Sequence, residues 1–218
     1  MIQQQQLQFS RYLKDFAFIT IFSLLFVMAF NWFIDPYDIY NSPKIRGINT
    51  LNAQDLNYSS ITKAYAVRRV KPESIILGTS RAGYSIDPDH GGWSYKPVYN
   101  LALPGASVYE TLRYFQHANY IQPLKQAVLF LDFFVFNIYW KNSRDIDESR
   151  LSVSSDGKAK GKFFLDLPTL LSLDATDASI KTARHQTVDR PVFLENGLWK
   201  FEDNDKGYRE RFSETYKT

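Results

Sequence analysis

Apolar and polar positions are distributed very unevenly along the chain. The stretch FAFITIFSLLFVMAFNWFI, from Phe16 to Ile34, runs 19 residues without a charge. At 1.5 Å rise per residue it is about 28 Å long, close to the roughly 30 Å hydrocarbon core of a bilayer, and this predicts a transmembrane helix. A core helix would need a wet face, and the run is apolar all round. A cleavable signal peptide would have a shorter apolar region and a small-x-small cleavage site, whereas the run ends in Asn31-Trp32-Phe33-Ile34-Asp35-Pro36. Trp32 and Tyr37 suit the interfacial aromatic belt.

After the anchor the pattern changes period. Residues 35–50 are rich in Pro, Gly and Asn and read as a juxtamembrane linker. Residues 52–70 read as a helix, with Leu56, Ile61, Ala64, Tyr65 and Val67 on one face and Pro72 as its stop. Three short apolar runs follow, Ser74–Leu77 before Gly78, Val98–Leu103 before Pro104-Gly105, and Ala127–Leu131 before Asp132. Runs of this length suit strands buried on both faces of a parallel sheet. Between the second and third, Ser107 and Glu110 form a capping box for a helix whose inner side would carry Val108, Leu112, Phe115 and Ala118 or Asn119. Strand, helix, strand at this spacing predicts a βαβ unit, hence an α/β fold with a mostly parallel sheet. Ligands in such folds bind beyond the carboxyl ends of the strands. Residues 141–160 read as a charged surface loop, FFLDLPTLLSL and SLDATDASIKTARH as helical, residues 192–201 as a hairpin about Asn196-Gly197, and the last stretch as the start of a helix.

The expected organisation is a cytoplasmic tail (1–15), the anchor (16–34), the linker (35–50) and one α/β domain (51–218), with residues 141–204 inserted as loop, helix and hairpin. Arg11 and Lys14 flank one end of the anchor and Asp35 and Asp38 the other, with Lys44 and Arg46 following soon after, and the positive-inside rule then puts the domain outside, in the bacterial periplasm or on the cell surface. A net charge of +3 without a long basic run argues against nucleic acid as a partner. The absence of cysteine excludes disulfides, thiolate metal sites and a cysteine nucleophile, and the three histidines lack zinc-type spacing. No metal or cofactor is expected.

Gly78-Thr79-Ser80-Arg81 follows directly on a buried strand, which sets Ser80 at the open end of the sheet with its N–H turned outward to meet an oxyanion. The alternative is a serine that caps a helix. Gly105 occupies the parallel position of the neighbouring strand, as a second donor or as a turn before the capped helix. Arg81 suits an anionic sugar or carboxylate, or a pairing with Asp87 or Asp132. The aromatics Phe133, Phe134, Phe136, Tyr139 and Trp140 read as core or interface, or as a platform for sugar rings.

In order and strand context, IILGTSRAGYSIDP, VYNLALPGAS and VLFLDFFVFN resemble the first three blocks of the SGNH (GDSL-type) hydrolases. The likeness is to the membrane-anchored bacterial branch related to alginate-type polysaccharide O-acetyltransferases, and it covers roughly residues 30 to 140. The resemblance implies an incomplete flavodoxin-like three-layer sheet. It implies Ser80 as nucleophile, Ser80 and Gly105 amides as oxyanion donors, and Asn100 within the same Asn-x4-Gly block. The family's third block is Gly-x-Asn-Asp, for which this chain offers only Asp132 and, as a stand-in donor, Asn137. It further implies a serine acyl esterase or O-acyltransferase acting on cell-surface polysaccharide, with an acyl donor and a membrane acyltransferase as partners.

The family's base is a His in Asp-x-x-His near the C-terminus. Asp87-Pro88-Asp89-His90 has that spacing but follows Ser80 by only ten residues, and reads as coincidence; His185 is preceded three residues earlier by Thr182, and His117 lies on the capped helix. The expectation is therefore the N-terminal portion of a longer protein, nearly inactive alone because a positioned base contributes about 10² to 10⁴ in rate. The other expectation is a degenerate, non-catalytic binding or scaffold protein of envelope polysaccharide assembly.

Overall fold

The computed structural model describes residues 2–50, 58–137, 139, 148–160, 167–184, 186 and 194–200. They fall in two compact units. One comprises Met1–Pro36, Tyr40–Ala53 and Phe163–Thr187, the other Tyr37–Ile39, Gln54–Lys162 and Val188–Thr218. Residues 40–53 and 163–187 thus group with the N-terminal apolar helix, across the expected boundaries of linker and domain.

In the first unit, α1 spans Ile2–Ile34. The helix continues through the expected tail because no Gly or Pro interrupts it before Pro36. Its segment Phe9–Ile34, 26 residues, is long and apolar enough to cross a membrane. Phe18 and Phe26 stand 70% and 65% exposed, so protein does not cover the apolar surface there, as it would in a core helix. Residues 35–50 form a cap rather than a loose linker. Asp35, at φ +48°, accepts from the Tyr40 and Ser42 amides at 3.1 and 3.3 Å. Ser42 Oγ and Asn49 Nδ2 both donate to the Phe33 carbonyl, at 3.1 and 2.8 Å, and so satisfy an orphan acceptor of the last helical turn. Helices α5 (Leu167–Leu170) and α6 (Leu173–Arg184) complete this unit. Both pack on α1.

The second unit is α/β. Its elements are α2 (Ser59–Val70), β1 (Ser74–Gly78), α3 (Ser80–Ser85), β2 (Val98–Asn100), α4 (Val108–Ile121) and β3 (Gln126–Phe130). The three strands are parallel in the order β2-β1-β3. Strand β1 is central and wholly buried. Its residues alternate sides: Ile75 and Leu77 join the core made with α2 and α4, while Ile76 packs with Ala82, Val98 and Ala102. Lys71 ends α2 in the left-handed region, with its N–H on the Val67 carbonyl at 2.9 Å, before Pro72. The capping box is present, with the Glu110 amide donating to Ser107 Oγ at 3.1 Å.

Three expectations need correction. Strand β3 is an edge, and Leu129 and Phe130 are exposed rather than buried on both faces. The inner side of α4 is Glu110, Thr111, Arg113, Tyr114, His117 and Ala118, while Val108 and Leu112 face outward. Polar residues win this face because each is satisfied. Arg113, for example, donates to Glu148 at 3.1 Å and to the Val153 carbonyl at 2.7 Å. Those partners lie in the supposed surface loop, where Glu148–Arg150 is a 3₁₀ turn, Leu151 and Val153 are buried, and Val153 bridges Ala159. The expected C-terminal helix, Leu56 and Trp140 lie outside the described residues.

The Asn-Gly turn forms at Glu195–Gly197, with Gly197 at φ +82° and its amide on the Leu194 carbonyl at 2.9 Å. Here glycine is obligatory, since a Cβ would lie 2.3 Å from the Asn100 carbonyl oxygen. The turn seals the free side of β2, where the Asn100 amide donates to the Asn196 carbonyl at 2.8 Å. Trp199 follows, buried against Gly83 and edge-on to Tyr84 at 5.0 Å between ring centroids.

Candidate functional site

The site is built where β1 and β2 leave the sheet. Gly78 ends β1 at φ +151°, and a Cβ there would meet the Phe130 carbonyl oxygen at 2.5 Å, so only glycine lets β1 and β3 stay paired. Thr79 is extended, and Ser80 is the first residue of α3. The ladder continues past β2, with the Leu103 amide on the Gly78 carbonyl at 3.0 Å. Ser80 and Gly105 each lie two residues beyond that bond, which brings both loops to the same rim. Gly105 is left-handed at φ +60°, and the space where a side chain would sit is open. Among the described residues, neither the Ser80 nor the Gly105 amide has an acceptor, and the Ser80 hydroxyl has no partner.

Asp132, just past β3, determines how Ser80 is held. Its carboxylate is buried and accepts from Thr79 Oγ1 on one oxygen and from Arg81 Nη1 at 2.7 Å on the other. The residues on either side of Ser80 are thereby tied to one buried group. The Asp132 side chain is 2% exposed and that of Arg81 67%, so the guanidinium keeps most of its surface toward solvent, over the Phe134 ring at 5.7 Å. Of the two pairings weighed for Arg81, Asp132 is the one formed.

Asn100 stands behind the rim. It is buried, its amide group donates to the Ala82 and Ile86 carbonyls at 3.0 and 3.1 Å, and its carbonyl accepts from the Ala102 amide at 3.1 Å. These bonds use its donors and one acceptor on the protein's own backbone, and they hold α3 against β2. Asn137 is exposed past β3, and its side-chain oxygen accepts from the Tyr139 amide at 2.9 Å. The aromatics beside it are not core: Phe133 is 93% and Tyr139 83% exposed.

Sequence reasoning missed Lys63. This lysine on α2 is fully buried, and its ammonium donates to the carbonyls of Asn100, Ala102 and Gly197 at 2.8, 2.9 and 2.9 Å. Burial pushes its pKa well down. Three carbonyl acceptors need three N–H donors, and only the charged form supplies all of them. Lys63 thereby joins α2, the exit of β2 and the Asn-Gly turn. A charged residue amid Thr62 and Ala64 gives no sequence signal of burial.

The histidines do not complete a triad among the described residues. Buried His117 accepts from the Ser152 amide at Nδ1, at 2.9 Å, which leaves Nε2 as donor to the Ala64 carbonyl at 2.8 Å. Burial, reinforced by Arg68, Arg113 and Lys160, pushes its pKa down to about 4. A depressed histidine contributes stability that is complete above its unfolded pKa of roughly 6.5 and declines as pH falls toward the folded value. Between pH 7.5 and 5, urea unfolding should show wild type losing about 2 kcal/mol more than His117→Gln, on the scale of 1.36 kcal/mol per pKa unit. Equal pH slopes would contradict a neutral, buried imidazole. His90 is exposed in a local turn, its Nδ1 accepting from the Gly92 amide at 3.0 Å and its own amide on the Asp87 carbonyl at 3.3 Å. His185 lies outside the described residues. Among those described, no group of three acidic or histidine side chains is placed to hold a metal ion.

No family model, curated protein or solved structure matches this chain.

Proposed function

We propose that the protein is a membrane-anchored, SGNH-like serine acyl esterase or O-acyltransferase acting on cell-surface polysaccharide, with Ser80 as nucleophile. The observation that carries this reading is the clamp around Ser80. Buried Asp132 ties down Thr79 and Arg81, while the hydroxyl between them has no partner among the described residues. Tying both neighbours limits the freedom of the serine, and a positioned nucleophile needs that restriction. The Ser80 and Gly105 amides supply two donors for the developing oxyanion. Arg81 presents a cation to a carboxylate or uronic acid on the substrate.

The long apolar helix supports a bilayer anchor, and Arg11 and Lys14, nearer the apolar run than Lys44 and Arg46, support an inner-membrane protein with its second unit in the periplasm. An acyl donor delivered by a membrane acyltransferase fits that setting. The test is release of acetate from an acetylated polysaccharide by the native gene product. Ser80→Ala should lower turnover by at least about 10³-fold, as loss of a covalent nucleophile does, without change in unfolding midpoint. Turnover equal to wild type would remove Ser80 from the chemistry.

A non-catalytic sugar-binding or scaffold role is the second reading. It is favoured by one observation: His117 is committed to backbone groups at both ring nitrogens. On that reading, polysaccharide binding survives Ser80→Ala and no acetate is released by either protein.

A further inference from the structure

The end of α1 and the α5–α6 pair belong to one compact unit, so the depth of one sets the depth of the other. This depth rests on the reading of α1 as a bilayer span. Arg11, Lys14 and Asp15 fix where the apolar run begins, at Phe16. Measured from there, roughly 30 Å of hydrocarbon at 1.5 Å per residue extends to about residue 35. Protein already covers the helix before that point. Asn31 is buried, and its Nδ2 donates to the Leu170 carbonyl at 2.8 Å and to Thr176 Oγ1 at 3.0 Å. Those two bonds place the α5–α6 turn, residues 170–176, at the level of residue 31, about one helical turn before the apolar run ends.

The side chains around that turn match this depth. Ala175, Ala178, Ser179 and Thr182 form the buried, small-residue face of α6. Pointing away from the protein are Leu167 and Leu171, 42% and 41% exposed, and Leu173, 86% exposed. Trp32, at the same level of α1, is 43% exposed. One leucine bare and two part-exposed to water side by side would be a liability, whereas at the acyl–headgroup boundary each gains by burial. The charged residues of α6, Asp174, Asp177, Lys181 and Arg184, are also exposed, and Lys181 pairs with Asp177 at 2.7 Å.

We infer that the α5–α6 turn is a second membrane contact: Leu167, Leu171 and Leu173 rest in the phospholipid bilayer beside the exit of α1. The anchor then emerges into a protein collar already seated in the interface, with both Asn31 Nδ2 donors satisfied where water is scarce.

The absence of native cysteine makes the test direct. Single cysteines are placed at Phe22, Leu171, Leu173 and Asp177 of the full chain, labelled with an environment-sensitive fluorophore and reconstituted in phosphatidylcholine/phosphatidylglycerol nanodiscs. Nitroxide lipids, shallow or deep, and aqueous iodide serve as quenchers. The expected result is deep-nitroxide quenching at Phe22, and shallow-nitroxide quenching at Leu171 and Leu173 severalfold stronger than at Asp177. If Phe22 is quenched by lipid and the leucine labels no more than Asp177, the second contact is overturned and the anchor stands. Leucine labels shielded from iodide and from both nitroxides would assign the patch to a protein neighbour and also overturn it. A Phe22 label open to iodide and untouched by lipid would overturn the span itself.

Discussion

Replacing Lys63 with methionine should cost about 3–5 kcal/mol of stability, the sum expected when three buried carbonyls lose a charged donor at once. Methionine keeps most of the volume, so packing is nearly conserved and the loss reports the hydrogen bonds. Against a typical total of about 5–15 kcal/mol, such a loss leaves the second unit marginal. Three segments distant in sequence are affected together, α2, the exit of β2 and the Asn-Gly turn, because Asn100, Ala102 and Gly197 accept from the same ammonium. Trp199, whose ring centroid lies 5.3 Å from Lys63 Nζ, offers a local probe. Near-ultraviolet circular dichroism of the full chain in detergent should show loss of fixed tryptophan packing at lower urea than wild type. A stability loss below about 1 kcal/mol would show that water satisfies the carbonyls and that the lysine is dispensable.

Asp132→Ala should affect the rim differently. Removing the carboxylate frees Thr79 and Arg81 on both sides of Ser80. The Arg81 end is mostly exposed, so its ion pair adds little to stability. The Thr79 bond is buried, and its loss should cost about 1–3 kcal/mol. The larger effect is on reactivity. A displacement of order 1 Å in a reacting group can cost about 10² in rate, so ester turnover should fall about a hundredfold while the protein remains folded. Asp132 acts here as a positioning residue. Asp132→Asn, which keeps one acceptor for Thr79 Oγ1, should recover part of the rate at unchanged KM. If Ala and Asn variants were equally slow and equally stable, the carboxylate would not work through Thr79.

Much of this arrangement was legible in the sequence because the signals are local. The uncharged run from Phe16 marks α1, the Ser107/Glu110 pair marks the start of α4, and Gly78 and Asp132 mark the ends of β1 and β3. What failed depends on partners far along the chain. The buried face of α4 was misread because Arg113 and His117 look like surface residues until Glu148, Val153, Ala64 and Ser152 are seen to satisfy them. Lys63 was invisible for the same reason. Residues 35–50 read as a linker from their Pro, Gly and Asn content, yet Asp35 closes a turn on the Tyr40 amide and Asn49 caps the end of α1. At the site, Ser80, Gly105, Asp132 and Arg81 could be located from strand ends alone. That Asp132 bonds both neighbours of Ser80, and that Asn100 serves the backbone, required coordinates.

Everything proposed for the site depends on Ser80 acting as a nucleophile at the rim of the sheet. The decisive measurement is treatment of the native gene product with a fluorophosphonate and mapping of the adduct by peptide mass spectrometry. One covalent phosphonyl group should form, on Ser80, lost in Ser80→Ala and formed about a hundredfold more slowly in Asp132→Ala. An unmodified Ser80 peptide under conditions that label a control serine esterase, or an adduct equally abundant in Ser80→Ala, would contradict it.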